Sequence, residues 1–254
     1  MPRSSFQYLI VSRADAASMT DALSCFAPVS TGAEATIYRF PGEVPQSLLS
    51  RISSSGWAET RLMDCAHFIL QRNTLIQQAL YNDFFDYIGS EYESLIDVSR
   101  NCENIEYLLE HLSQQIGDLK GATLMDFGCG TGLAVPQLQA AGAKFVGVDQ
   151  SHHMRFIAQH RGMTAVNMAS LLAQPNQFDG AIASYVLHLV SDEIAIAGVV
   201  SVLKRGATLV GNFHKSCNIQ WMDDTFARHG CSAIHLRELH TSAVHGVYVG
   251  YTKL

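Results

Sequence analysis

The run Leu124-Met125-Asp126-Phe127-Gly128-Cys129-Gly130-Thr131-Gly132 restricts the fold of this chain more than any other segment. It reads as a short strand that runs into a glycine turn. Residues 122–127 are mostly apolar, as a parallel strand covered on both faces has to be. Glycines at three alternate positions let the backbone turn tightly and approach a bound molecule with no Cβ in the way. From Leu133 the spacing of Leu133, Val135, Leu138 and Ala141 predicts a helix. Phe145-Val146-Gly147-Val148-Asp149 then reads as a second apolar strand closed by a carboxylate, about 20 residues beyond the first glycine, where an acid can hold both hydroxyls of a ribose. The expected unit is a βαβ shaped around an adenosyl group.

The spacing of the glycines narrows the ligand. A dinucleotide fingerprint runs G-x-G-x-x-G, but here the glycines run G-x-G-x-G and Leu133 stands where the third would fall. A pyrophosphate also wants positive charge or free amides, whereas Asp126 precedes this loop. A carboxylate there suits a ligand with an ammonium and a sulfonium. Residues 126–132 resemble the first motif of class I S-adenosylmethionine-dependent methyltransferases, and Asp149-Gln150-Ser151-His152-His153-Met154 resembles their second, an acid followed by Ser-x-x-Met. Phe178–Leu189 is similar to the family's fourth strand and the short helix after it, and Leu203–Val210 to its turn into strand five. Upstream, Phe85–Glu93 is similar to the F-D-x-I-A-x-x-Y-D segment of quinone-biosynthesis and related small-molecule methyltransferases. The resemblance covers about residues 80 to 254.

That resemblance implies an α/β fold: a seven-stranded Rossmann-like sheet with an antiparallel C-terminal strand. Strands are expected near 122–127, 144–149, 163–167, 178–184 and 207–213, with a terminal hairpin of 232–239 and 244–253. Residues 74–116 have helical apolar spacing, and such helices shield the ligand pocket in the family. Residues 73–254 thus form the expected methyltransferase domain. Residues 1–72 lie outside the pattern. There, strands at 6–12, 35–40 and 66–71 alternate with helices at 14–25 and 45–52, which predicts a small α/β accessory domain. It reads as a structural or homodimerising appendage, or as a substrate-recognition lid.

Composition removes several function classes. A formal charge of −6 over 254 residues, with no basic run longer than Lys204-Arg205, argues against wholesale nucleic-acid or anionic-membrane binding. No apolar stretch nears the ~20 residues that span a bilayer, and the apolar N-terminal run is too short for a secretory signal. Six cysteines without paired spacing fit a reduced, cytoplasmic protein. His229, Cys231, His235, His240 and His245 match no familiar zinc pattern, and no metal site is expected.

The resemblance implies S-adenosylmethionine as cofactor. Gly128, Cys129, Gly130 and Gly132 line its methionine part, Asp126 lies near the ammonium, and Asp149 with Gln150 meets the ribose. Met154 packs on the adenine or serves as a core residue of its helix, and Asn167-Met168 stand at the adenine edge, where relatives often carry an acid. The Asn167 carbonyl could accept from the exocyclic amine. Ser184 and Tyr92 are further cofactor-binding candidates, and Tyr92 and Tyr185 are pocket-wall candidates. A base is needed only if the acceptor arrives protonated. His188, after strand four, and His214, after strand five, are the candidates. Ser184-Tyr185-Val186-Leu187 stands where enzymes methylating nucleobase or glutamine amino groups often carry an Asn-Pro-Pro-Tyr tetrad. The expectation is therefore methyl transfer to a small molecule in cofactor or secondary-metabolite biosynthesis. The alternatives are an RNA- or protein-directed methyltransferase and a non-catalytic protein that binds the cofactor.

Overall fold

The computed structural model describes residues 6–71, 77–190, 192–213, 219–236 and 246–254. The chain divides into two compact units, Met1–Asp97 and Val98–Leu254. In the first, β1 (Phe6–Ser12), α1 (Arg13–Ser18), α2 (Thr20–Leu23), β2 (Ser30–Thr31), β3 (Ala35–Pro41), α3 (Gln46–Ser54), β4 (Trp57–Leu62) and β5 (Ala66–Gln71) precede α4 (Gln77–Ile88) and α5 (Tyr92–Leu95). The five strands form one sheet ordered β2-β3-β1-β5-β4. β1 is central, antiparallel to β3 and parallel to β5, and its residues from Tyr8 onward are buried.

Two features of this unit differ from the sequence expectation. The helix expected over 14–25 is interrupted at Met19, with α1 and α2 on either side. Its cause is local: the hydroxyls of Ser18 and Thr20 bond back to the carbonyls of Asp15 and Ala17, both at 2.8 Å, and compete with the helix ladder. The sheet also has two strands beyond the three expected, β2 and β4. β4 is an edge strand with Glu59 and Arg61 exposed, and that polar content conceals it from a hydrophobic pattern.

The expected methyltransferase domain begins at residue 73, and the two compact units divide after Asp97. Helix α4 is held to the N-terminal sheet, packing on β1 and β3. Asp83 Oδ2 accepts from the amides of Glu34 and Ala35, each at 2.7 Å. A Cβ on Gly32 would lie 2.4 Å from the same oxygen, so glycine is required for this close approach. Phe84 meets Tyr8 and Phe68 edge-on, with ring centroids 5.5 and 5.4 Å apart.

The second unit comprises α6 (Val98–Ile116), β6 (Thr123–Phe127), α7 (Val135–Ala140), β7 (Lys144–Val148), α8 (His152–His160), β8 (Thr164–Val166), β9 (Phe178–Ala183), α9 (Glu193–Val202), β10 (Leu203–Phe213), α10 (Ile219–Arg228), β11 (Cys231–Leu236) and β12 (Val247–Lys253). Its strands form the expected seven-stranded sheet, ordered β11-β12-β10-β9-β6-β7-β8. β6 through β10 are mutually parallel, and β12 runs antiparallel between β10 and β11. The apolar stripe Ile105, Leu108, Leu109 and Leu112 buries one face of α6 on β9 and β10. Gly180 permits this approach, since a Cβ there would lie 2.9 Å from Ile116 Cδ1.

The chain leaves β6 toward β7 and β8 on one side, then crosses back to β9 on the other. The segments after β6 and after β9 therefore diverge at the carboxyl ends of adjacent strands. In an open α/β sheet, ligands bind in that crevice.

Candidate functional site

The segment after β6 is shaped by its glycines. Gly128, Gly130 and Gly132 have φ of +74°, +52° and +81°, a region that L side chains rarely adopt. A Cβ on Gly128 would also lie 2.4 Å from Val186 Cγ2. The glycine loop thus abuts the segment after β9, directly at the crevice. The helix expected from Leu133 begins at Val135, because residues 130–134 continue the turn.

The loop amides point inward to protein acceptors. Gly128 N and Cys129 N donate to the Val148 carbonyl at 2.7 and 3.1 Å, which ties the loop to the end of β7. Gly130 N donates to Asp149 Oδ2 at 2.9 Å, and Gly132 N to the Cys129 carbonyl at 2.9 Å. A loop built to cradle phosphate presents such amides to its ligand. This one directs four of them to its own chain.

Asp149 is held as firmly as the loop. Its other oxygen, Oδ1, accepts from Ser151 N at 2.9 Å, and its amide donates to the Val166 carbonyl at 3.1 Å. Arg155 Nη1 donates to the carbonyls of Asp149 and Gln150, both at 2.7 Å. Ser151 caps α8 by accepting from Met154 N at 3.1 Å.

Asp126, on β6, is 3% exposed. Burial, and then the charge of Asp149, push its carboxyl pKa up to about 7. Burial likewise pushes the Cys129 thiol up, ahead of the effects of Asp126 and Asp149. Cys129 packs behind the loop, where a Cβ on Gly147 would lie 2.7 Å from its sulfur. Its neighbours make it a packing residue as well as a loop residue.

The other expected site residues fall in several environments. Met154 and Met168 are 2% and 6% exposed, and Met168 packs against Gly198 of α9. Asn167 Oδ1 accepts from Ser170 N at 3.0 Å and Ser170 Oγ at 2.8 Å. Those bonds occupy both lone pairs of the carbonyl that the sequence offered to adenine. Ser184 Oγ accepts from Asn104 Nδ2 at 2.8 Å. His188 sits half-buried on the single 3-10 turn Leu187–Leu189 after β9. His214 lies outside the described residues. Tyr92 belongs to the N-terminal unit and meets Phe85 edge-on at 6.1 Å.

Several residues with structural roles here carried no motif: Arg155, Asn104, Asn212 and Tyr248. A signal existed for Asn104, which stands four residues before Leu108 on the apolar stripe of α6 and is 0% exposed. Among the described residues, no group of three His, Cys, Asp or Glu could hold a metal ion; the His235 side chain, His240 and His245 lie outside them. None of the described helices is long and apolar enough to cross a membrane.

Comparison with known proteins agrees with this geometry. Residues 125–211 match the family model described as a methyltransferase domain. An uncharacterized methyltransferase of Bacillus cereus is 26% identical over 143 residues, covering 51% of this chain and 65% of its own length. A Bacillus thuringiensis protein of the same description is 27% identical over the same length. The chain thus spans just under two thirds of these relatives. The fold matches magnesium protoporphyrin IX methyltransferase of Synechocystis PCC 6803, solved with bound S-adenosylmethionine, at a TM-score of 0.57 and 19% identity over 72% of this chain and 100% of that one. A Thermotoga maritima S-adenosylmethionine-dependent methyltransferase, described as a possible histamine N-methyltransferase, matches at 0.51 and 21% identity over 68% and 99%. Residues 125–211 thus match a methyltransferase domain, and the C-terminal unit that holds them is similar in sequence and fold to the class I S-adenosylmethionine-dependent methyltransferases.

Proposed function

We propose that this protein binds S-adenosylmethionine at the crevice after β6 and β9 and transfers its methyl group to a small-molecule acceptor. The observation that carries the reading is the state of the glycine loop. Its amides donate to its own chain, one of them to the Asp149 carboxylate, and a second carboxylate, Asp126, is buried beside it. Such a site repels phosphate and favours a ligand bearing positive charge. S-adenosylmethionine carries both an ammonium and a sulfonium.

In this reading Asp149 accepts from the ribose hydroxyls while its loop bonds keep it aimed. Asp126 faces the ammonium, directly or through one water. Gly128, Gly130 and Gly132 leave room for the methionine chain, and Met154 and Met168 support the adenine side from the core. When bound, the cofactor supplies an activated methyl group, so the protein's chief task is to align the acceptor with it and exclude water. Alignment alone can be worth about 7–11 kcal/mol. His188 lies on the turn after β9; in this reading the cofactor's methyl end lies there, and His188 would take the acceptor's proton where one must leave.

The small-molecule assignment rests on the formal charge of −6, the absence of a basic run, and the small-molecule substrates named for the structural neighbours. We read residues 1–72 as an accessory domain and place the protein in the cytoplasm, as six cysteines without paired spacing suggest. The test is transfer of labelled methyl from S-adenosylmethionine in the presence of a small-molecule extract, with RNA and protein fractions alongside. Label in the small-molecule fraction supports the reading. Label only in a macromolecular fraction contradicts the acceptor class, and binding without transfer in any fraction contradicts the activity.

A further inference from the structure

Tyr185 has φ of +53°, a left-handed conformation that is strained for a non-glycine residue. It lies two residues past the end of β9, and the next residue, Val186, rests on Gly128. Such strain persists only where surrounding contacts impose it. The contact that imposes it is a buried amide. Tyr185 N donates to Asn212 Oδ1 at 2.8 Å, and Asn104 Nδ2 reaches the same oxygen at 3.4 Å and Ser184 Oγ at 2.8 Å. Tyr248 donates its hydroxyl to Asn104 Oδ1. Asn104, Asn212 and Tyr248 are all 0% exposed. In register, Asn212 of β10 stands opposite Tyr248 of β12, and its neighbour Gly211 stands opposite Ala183, the last residue of β9. Four elements of the C-terminal unit therefore converge on one backbone turn. Among the described residues nothing accepts from Asn212 Nδ2, so it is the acceptor half of this amide that the turn uses.

We infer that Asn212 is a positioning residue. Its Oδ1 holds Tyr185 in the left-handed turn, which seats Val186 against Gly128 and so sets the width of the cofactor crevice, with Asn104 and Tyr248 fixing the orientation of the amide. The inference rests on the cofactor reading above and deepens it. A hydrophobic replacement at 212 leaves the Tyr185 amide buried without an acceptor and releases the turn.

A double-mutant cycle tests it, with S-adenosylhomocysteine affinity measured by calorimetry on the full chain. Asn212→Ala weakens binding about tenfold with Tyr185 present, equivalent to about 1.4 kcal/mol. In the Tyr185→Gly background the same substitution weakens binding by less than about threefold, because glycine adopts the turn unaided. Equal losses in both backgrounds overturn the inference, since Asn212 then acts on something other than the turn. Unchanged affinity in Asn212→Ala overturns it too. Should Asn212→Ala fail to fold, the inference requires the double variant to fold, and failure of both contradicts it. A wild-type protein that takes up no S-adenosylhomocysteine removes the cofactor reading and this inference together; wild-type binding with either negative result removes the inference alone.

Discussion

At the scale of single residues, Asp126 and Asp149 divide one electrostatic problem. Asp149 is held by two amides, while burial, and then the Asp149 charge, bring the Asp126 pKa to about 7. An ammonium beside Asp126 favours its ionised form, so cofactor affinity should rise as pH increases through 7 and fall below it, by up to about tenfold per unit. For the ligand-free fold the sign reverses. The folded state binds more protons at Asp126 than the unfolded chain between the ordinary carboxyl range and pH 7, so this group's contribution to stability declines as pH rises across that window. Asp126→Asn should therefore raise the melting temperature of the free protein at pH 8 while weakening cofactor binding and flattening its pH dependence. Unchanged binding at both pH 6 and pH 8 would contradict the placement of Asp126. His188→Ala should lower turnover about 10²–10⁴-fold with cofactor affinity kept, if the acceptor is protonated on arrival. Full turnover would remove His188 as the base.

At the scale of elements, the glycine loop and the segment after β9 form one shape. Gly128→Ala adds a Cβ where φ is +74° and Val186 lies 2.4 Å away, so it should abolish detectable cofactor binding. Retained affinity within about threefold, well under the 1.4 kcal/mol of a tenfold change, would contradict the close approach. The scaffold beneath is sensitive in another way. Leu112→Ala, which empties the contact of α6 over Gly180, should cost about 2–5 kcal/mol in chemical denaturation. How much was legible in the sequence follows from how local each feature is. The loop and Asp149 lie within one βαβ unit, and the strand that follows β6 could be read from its apolar run alone. The Asn104–Asn212–Tyr248 network joins residues 108 and 144 positions apart, and no pattern within a window encodes such a pairing. Asn167 shows the converse limit: its type suited adenine, but the hydroxyl and amide of Ser170 already occupy its carbonyl. The edge strand β4 escaped notice because exposed Glu59 and Arg61 break the hydrophobic pattern that a central strand keeps.

At the scale of the whole molecule, the two units have separate cores, one around Leu9, Tyr38, Leu48 and Ile69, the other on the seven-stranded sheet. The cofactor reading concerns the second. A ligand held by the folded state alone stabilises it by about 2.7 kcal/mol at a hundredfold excess over its dissociation constant. For a unit of this size that corresponds to a melting shift of roughly 5–10 °C. S-adenosylhomocysteine should produce that shift, and NAD should produce none because four of the loop's amides already donate to their own chain and two carboxylates flank the site. A shift with NAD of similar size would contradict the reading of the loop.

The central claim is that Asp149 and the glycine loop it holds grip an adenosyl amino acid. Calorimetric titration of S-adenosylhomocysteine into wild-type protein and Asp149→Ala tests it most directly. One ligand should bind per wild-type chain, and the variant should bind about ten- to a hundredfold more weakly, a loss of roughly 1.5–3 kcal/mol. Equal affinity in the two proteins, or no binding by the wild type, would contradict the claim.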